Sequence, residues 1–383
     1  MLSFRRPHLP RLALGLALAA LTSAAGAQTS FTQTTLSPPS LGRLIPGAPM
    51  GFDETGAVLG DAGYFAGYRF GSTGLGFEVD IQQSPSRWAA TTAKSTTPTR
   101  LATGNNTWLA ASPRGQWVLY GNTQMLVSTR DKFTVPRDAP GSNAGLPRYL
   151  TGAMDDGRVL WTVYGDNRAH DKAGTWHRDT GWQTLPTGNW PGAVVLTANA
   201  NSDFGGALTD YTTYAQAATI WRAGQPAVLD TRERPLSTVE SLNNQGQALV
   251  RYWPDVTVTA DNHLLKNTGT EDVRLWNGQA LVRLLPAGDL RQVSKALLNN
   301  TGTVVYRAGR CGGCTLQPSE VQFYIWRDGQ SQELVSWLKG KGVSLATGSV
   351  IGNVSALSDS GSLVIEVRAS SNKTTWLRLT AKP

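Results

Sequence analysis

Along the chain, short apolar runs break at regular intervals into polar turns of one form: an apolar residue, a polar corner, Gly, then a second apolar run. The blocks lie at 52–58, 111–117, 153–159, 201–207, 242–248, 298–304 and 357–363, and their anchors are Gly56, Gly115, Gly157, Gly205, Gly246, Gly302 and Gly361. The residue two before the anchor is Glu, Pro, Asp, Asp, Asn, Asn and Asp in turn. Such residues suit the right-handed corner of a type I turn, and the Gly takes the positive φ that closes the hairpin with a bulge. Each block therefore predicts two antiparallel strands and their turn.

A tryptophan follows most blocks: Trp176, Trp221, Trp276, Trp326 and Trp376, with Trp88 a looser match. After the first four of these comes another Gly turn (Gly181, Gly224, Gly278, Gly329) and another apolar strand. A unit thus reads as four strands, and six steps from Gly56 to Gly361 give about 51 residues per unit, the length of kelch-like blades. Four-stranded units must bury both faces of each small sheet, and radial stacking does so while leaving only short edges. A linear β-solenoid has shorter coils and lacks two hairpin turns per unit. The expectation is an all-β chain, a seven-bladed β-propeller of four-stranded antiparallel blades. The last unit ends seven residues after Trp376 without a fourth strand. The β-prone segment Phe31 to Leu36 is predicted to fill that place and close the ring.

Named resemblances attach to particular blocks. The Asn-Asn-x-Gly corners followed by an apolar pair, with a Trp and Gly about 16 to 30 residues on, resemble extracellular HAF-type repeats. Ser112-Pro113-Arg114-Gly115 with Val118-Leu119-Tyr120 resembles the Ser-Pro-Asp-Gly blades of TolB-like propellers. The resemblance runs over residues 50 to 380 in pattern and implies the propeller fold; it leaves activity open, because propellers host many activities. Residues 61 to 100, rich in Gly and Thr, depart from the pattern, and the second unit has no Trp at the expected position.

Composition adds a compartment. Arg5, Arg6 and Arg11 precede an apolar run from Leu12 to Leu21, and Ala25-Gly26-Ala27 offers the small residues that signal peptidase accepts. Residues 1–27 are therefore read as a signal peptide, 28–45 as the closing strand and a linker, and 46–383 as the propeller. Export to the periplasm or the exterior follows, by the general or the twin-arginine route. The formal charge of +8 falls to about +5 without the three signal arginines, and the remaining basic residues are scattered, so nucleic acid is not an expected partner. No later apolar run approaches a membrane span, and a monomer is expected.

Candidate chemistry is sparse. The chain has no Gly-x-Ser-x-Gly elbow, no His-Glu-x-x-His and no phosphate loop, so no catalytic residue, metal or cofactor is assigned. His170-Asp171 and His177 flank the third unit's loop between second and third strands, at a spacing that matches no ligand pattern, and are read as polar loop residues. Loop length varies most between second and third strands, so a ligand is expected on that face, near the mouth of the central channel. Arg251, Tyr252 and Trp253 open the longest such loop and offer a stacking surface for a sugar or peptide. Cys311 and Cys314, in the next unit, are read as a local disulfide. The functional expectation is a non-catalytic binding or scaffolding module for an envelope protein or a polysaccharide (glycan). A propeller lyase or hydrolase with acid-base residues at the channel mouth is the alternative.

Overall fold

The structure is a computed structural model that describes residues 30–37, 48–70, 77–102, 108–121, 125–128, 131–142, 148–165, 170–232, 235–253, 256–258, 265–267, 271–286, 288–289, 291–309, 321–371 and 373–382. It is a seven-bladed β-propeller of four-stranded antiparallel blades. Blade 1 comprises Ala48–Phe52, Val58–Phe70, Phe77–Trp88 and Pro98–Arg100. Blade 2 comprises Trp108–Ala111, Val118–Tyr120, Met125–Val127 and Lys132–Thr134. Blades 3 and 4 are Arg148–Ala153, Val159–Val163, Lys172–His177, Gly181–Thr184 and then Gly192–Ala198, Phe204–Asp210, Ala215–Arg222, Gln225–Val228. Blades 5 and 6 are Ser237–Leu242, Ala248–Tyr252, Asp272–Trp276, Leu281–Arg283 and then Gln292–Leu298, Val304–Gly309, Gln322–Arg327, Gln330–Glu333. Blade 7 takes Val350–Leu357, Leu363–Arg368 and Thr374–Ala381, and Phe31–Leu36 supplies its fourth strand, antiparallel to Thr374–Ala381, with Leu36 opposite Trp376. The predicted closure is therefore what the fold uses. Ser95–Thr96, from blade 1, adds a short parallel pairing to Thr35–Leu36 and ties the seam from the far side.

The seven turns between first and second strands share one hydrogen-bond scheme. In each, the anchor residue's N–H donates to the carbonyl three residues earlier, as Gly56 to Asp53, Gly246 to Asn243 and Gly361 to Ser358. Six anchors are glycines with φ between 67° and 86°. Blade 4 corrects the sequence reading: Ser202, at φ 64°, holds the positive-φ position, and Gly205 lies inside the strand Phe204–Asp210. Gly205 has a different reason to be glycine, since a Cβ there would sit 2.5 Å from Val239 of blade 5. The tryptophan register needs a similar correction. Trp88, Trp176, Trp221, Trp276 and Trp326 each pair with the first residue of the second strand. In blade 7 Leu379 holds that place and Trp376 lies three residues before it; in blade 2 it is Val127.

The first strands of successive blades touch one another around the ring and so surround the axis. Each carries a β-bulge, which skips Met50, Leu109, Thr151, Leu196, Glu240, Ser294 and Gly352 in blades 1 to 7, and blade 7 has a second at Ser355. A bulge bends and twists the strand and turns one extra residue out of the ladder, so the strands that line the channel share one irregularity. Residues 61–70, left unplaced from sequence, continue the second strand of blade 1 into a long hairpin with Phe77–Trp88. A helix, Leu334–Gly340, joins blades 6 and 7; its Leu334 and Leu338 enter the core between them, and Trp337 meets Phe31 edge to face. Apolar clusters fill each inter-blade space, as Leu160, Leu208 and Trp221 do between blades 3 and 4. Residues 1–29, on which the expected signal peptide falls, and Cys311 and Cys314 with their expected disulfide lie outside the described residues.

Candidate functional site

The connections between second and third strands, and between blades, emerge on one face, here called the loop face. At blades 3 and 4 this face brings together residues that are far apart in sequence. Tyr149 stands on the first strand of blade 3, and Tyr164 follows its second strand. Their rings meet at 5.4 Å with a 59° tilt, and they remain 50% and 41% exposed. Behind them Asp171, buried, accepts from the Gly165 N–H (2.8 Å) and from the Tyr211 hydroxyl of blade 4 (2.6 Å) on the same oxygen. The Asp171 carbonyl also accepts from Ala193 N–H, so one residue ties both blades. His170 stacks on Tyr211 at 6.4 Å, and its Nδ1 is buried without a hydrogen-bond partner among the described residues. His177 is not part of this group. It closes the other end of the strand Lys172–His177, roughly 20 Å away at strand rise, and its Nδ1 accepts from Asp179 N–H.

The chemistry of the group is that of a braced aromatic platform. Burial, then the Asp171 hydrogen bond, push the Tyr211 phenol above its ordinary value, so it keeps its proton, and it directs that proton to Asp171. Burial also raises the Tyr164 phenol, with Asp171 and Tyr149 adding to it. A buried carboxylate that already holds two donors has little reach left for acid-base work. The exposed faces of Tyr149 and Tyr164 are what the site presents. They continue an apolar arc on the first strands of blades 7, 1 and 2, where Val350, Met50 and Leu109 are also exposed. Sequence inspection found His170 and Asp171 but not the tyrosines, because Tyr149, Tyr164 and Tyr211 share no spacing that marks them.

Arg251, Tyr252 and Trp253 lie on the same face in blade 5. Tyr252 is buried, with the Arg232 guanidinium 4.0 Å and the Arg274 guanidinium 3.8 Å from its ring centre. Arg232 is itself fixed by Asp230 (2.6 Å) and donates to the Trp253 carbonyl (3.0 Å). Arg251 is ion-paired with Glu240 and Glu271. Trp253 is half-buried, and its backbone N–H donates to the Leu236 carbonyl (3.0 Å).

The opposite, turn face holds a cavity of about 410 Å³ between blades 1 and 2, floored by Gly115 and Trp117 and walled by Asp53, Glu54, Arg87 and Asp131. Its carboxylates are already engaged: Asp53 by Arg87 (2.7 Å), Glu54 by Gln116 (3.2 Å), and Asp131 by Arg178 (2.7 Å). Among the described residues no group of three or more metal-ligating side chains converges, and no helix is long and apolar enough to cross a membrane.

No family model matches the chain, and no curated protein matches its sequence. Solved structures do resemble it. The β-propeller domain of the Trilobed protease from Pyrococcus furiosus, described as having an open velcro topology, aligns with TM-score 0.51 at 10% identity over 88% of this chain and 96% of that one. Pyrococcus horikoshii acylaminoacyl peptidase aligns with TM-score 0.51 at 11% identity over 90% of this chain; the chain spans only about half of that enzyme, 53%. A putative TolB from Agrobacterium tumefaciens also aligns, with TM-score 0.40 at 11% identity over 62% of this chain and 83% of that one. At such identities the likeness to the two Pyrococcus structures is one of fold alone.

Proposed function

We propose that this protein is a non-catalytic binding propeller that engages an envelope protein or polysaccharide on its loop face, through the Tyr149–Tyr164 pair at the channel mouth. The observation that carries the reading is the exposure of both rings beside a brace in which buried Asp171 accepts from the half-buried Tyr211 hydroxyl and from Gly165 N–H. Exposed tyrosines fixed in place bind with little loss of side-chain freedom, and each offers an apolar face and a hydroxyl. Trp253 is a second contact of the same kind. The export signal read in residues 1–27 supports an envelope ligand. Against catalysis stands the state of Asp171 and Tyr211, which neutralise each other's hydrogen-bonding capacity.

The test is capture of envelope components by mature protein, with a parallel glycan screen. Changing Tyr149 and Tyr164 together to Ala is expected to weaken capture at least tenfold while the circular dichroism is kept, and Trp253→Ala to weaken it less. Turnover of a glycan that is abolished by Asp171→Asn would replace this reading with the enzymatic one.

A further inference from the structure

Lys295 and Arg307 are cross-strand partners in blade 6. Along the second strand of that blade Val304 and Tyr306 pack toward blade 5, while Val305 packs toward blade 7. Arg307, two residues after Val305, and Lys295 opposite it therefore point toward blade 7. That blade answers with Ile351, Val354, Ile365 and Val367, all apolar. Its charged residue nearby, Glu366, is the cross-strand partner of Asn353 and is held by Arg368 at 2.8 Å, with no ion pair to Lys295 or Arg307 among the described residues. Lys295 Nζ finds one partner, the neutral Asn353 Oδ1 at 3.2 Å. The Arg307 Nε and the hydroxyls of Ser294 and Ser355 are buried without hydrogen-bond partners. Ser294 is the residue skipped by the bulge of blade 6, and Ser355 the one skipped by the second bulge of blade 7, so both stand on the innermost strands of their blades.

Two cations face one another here with no carboxylate opposite them among the described residues, surrounded by unused donors. Buried polar atoms are ordinarily satisfied, and buried charges are ordinarily paired. An arrangement that supplies only donors and positive charge is complementary to an anion with several oxygen acceptors. Burial and the Arg307 charge both push Lys295 below its usual range, as repulsion between like charges requires.

We propose that the channel wall between blades 6 and 7 is an anion site, in which Lys295, Arg307, Ser294 and Ser355 bind a carboxylate or phosphate group. This goes beyond the tyrosine surface and does not depend on it, because it lies on different blades and uses none of the same residues. The bound group completes the hydrogen bonding of the wall and cancels its charge.

The experiment uses mature protein at fixed ionic strength. Thermal unfolding is followed in sodium chloride, inorganic phosphate, and succinate as the carboxylate arm. A ligand that binds the folded state alone raises the transition in proportion to the logarithm of its concentration. The expected result is a rise in phosphate, succinate or both over chloride, and which of them acts identifies the source of the oxygens. Lys295→Met is expected to abolish that rise and, in chloride, to unfold at a temperature equal to or above that of the unchanged protein, because it removes an uncompensated cation. Arg307→Lys, which keeps the charge and loses the fork, is expected to retain a rise at least tenfold weaker in concentration. Equal transitions of the unchanged protein in all three salts, or a rise preserved in Lys295→Met, would overturn the proposal. If the Met variant does not fold, the comparison of salts on the unchanged protein decides. Loss of capture in the tyrosine variants with an intact phosphate response would break the surface reading alone.

Discussion

Blades 4 to 7 and blades 1 to 3 use the same turn but are joined to their neighbours by different chemistry. In blades 4, 5 and 6 the turn begins with a buried Asn: Asn199, Asn243 and Asn299. The Oδ1 of each accepts from N–H groups two and four residues on within its own turn. The Nδ2 of each donates to the carbonyl of the matching residue in the next blade: Asn199 to Asn243 (2.9 Å), Asn243 to Asn299 (3.0 Å), Asn299 to Ser358 (2.9 Å). One position on, backbone N–H groups of Ala200, Asn244 and Asn300 donate to the side chains of Asn244, Asn300 and Asp359. The Asn-Asn pair is thus both the cap of one turn and a link in a belt across four blades. Blades 1 to 3 have Asp53, Ser112 and Met154 at the first position. There Glu54 N–H reaches the Arg114 carbonyl, and Arg114 N–H reaches Asp155. Met154 instead enters the apolar cluster it shares with Phe204. The turn-face cavity lies in this second region, between blades 1 and 2. An amide that donates and accepts at once can chain identical units; an ionised carboxylate or a thioether at the same place cannot, and the shorter Ser112 hydroxyl accepts within its own turn.

The strongest test acts on the seam where the two regions meet. Leu36 of the closing strand is buried with Val58 and Trp88 of blade 1 and Val364 of blade 7. Leu36→Asp is expected to cost about 3–5 kcal/mol in urea unfolding, by placing a charge in an apolar cluster. A cost under 1 kcal/mol would mean that the ring does not depend on its closure. Next, Asn243→Ala removes a buried side chain that serves two blades and is expected to cost about 3 kcal/mol, against about 1 kcal/mol for Ser112→Ala, whose hydroxyl accepts only from Trp117 N–H. Equal losses would erase the distinction between the regions.

Exchange of the turn anchors is a finer probe. Gly246→Ser is expected to cost about 1–2 kcal/mol, since the residue has φ 75° and a Cβ there would meet Arg222 at 2.0 Å. The reverse change in blade 4, Ser202→Gly, should stay within about 0.5 kcal/mol, because relief of the positive φ is offset by greater freedom in the unfolded chain and loss of the bond from Arg158.

The smallest expected effect is a pH dependence confined to blades 1 and 2. Asp61 is buried, accepts only from Trp108 N–H through Oδ2, and has its other oxygen unpartnered. Burial pushes it up to about 6 from 3.8. A folded value above the unfolded one favours the protonated acid, so this contribution is fully present below pH 3.8 and is lost as pH rises through about 6. Asp61→Asn is expected to flatten that fall and to be more stable than the unchanged protein at pH 8 by on the order of 1 kcal/mol. Parallel stability curves for the two proteins from pH 4 to 8 would contradict it.

Much of the ring was legible before any coordinates. Blade number, six of the seven turn anchors and the closing role of Phe31 to Leu36 follow from short apolar runs and positive-φ corners, which are properties of a few adjacent residues. The reading slips in blades 4 and 7. The Asp-Phe-Gly-Gly run of blade 4 resembles a turn one register late, and only the hydrogen bonds of Asn199 with Asp203 and Asn243 place the corner at Ser202. The sequence reading takes Trp376 for the repeat tryptophan, but Leu379 is opposite the strand start. Corrected for both, the distance from turn anchor to the third-strand position is 19 residues in blades 3 and 4 and 18 in blade 7, so variation in length concentrates in blades 1, 2, 5 and 6.

The sequence alone determined the architecture, because hairpin turns and short strands are enforced locally, by backbone sterics and by apolar runs that are buried on both faces of a blade. The tertiary structure decided the contacts between strands and blades. The first-strand bulges, the bracing of Tyr149 and Tyr164 by Asp171 and Tyr211, and the opposed Lys295 and Arg307 depend on strands distant in sequence approaching one another, and no local pattern encodes which residue meets which across that distance.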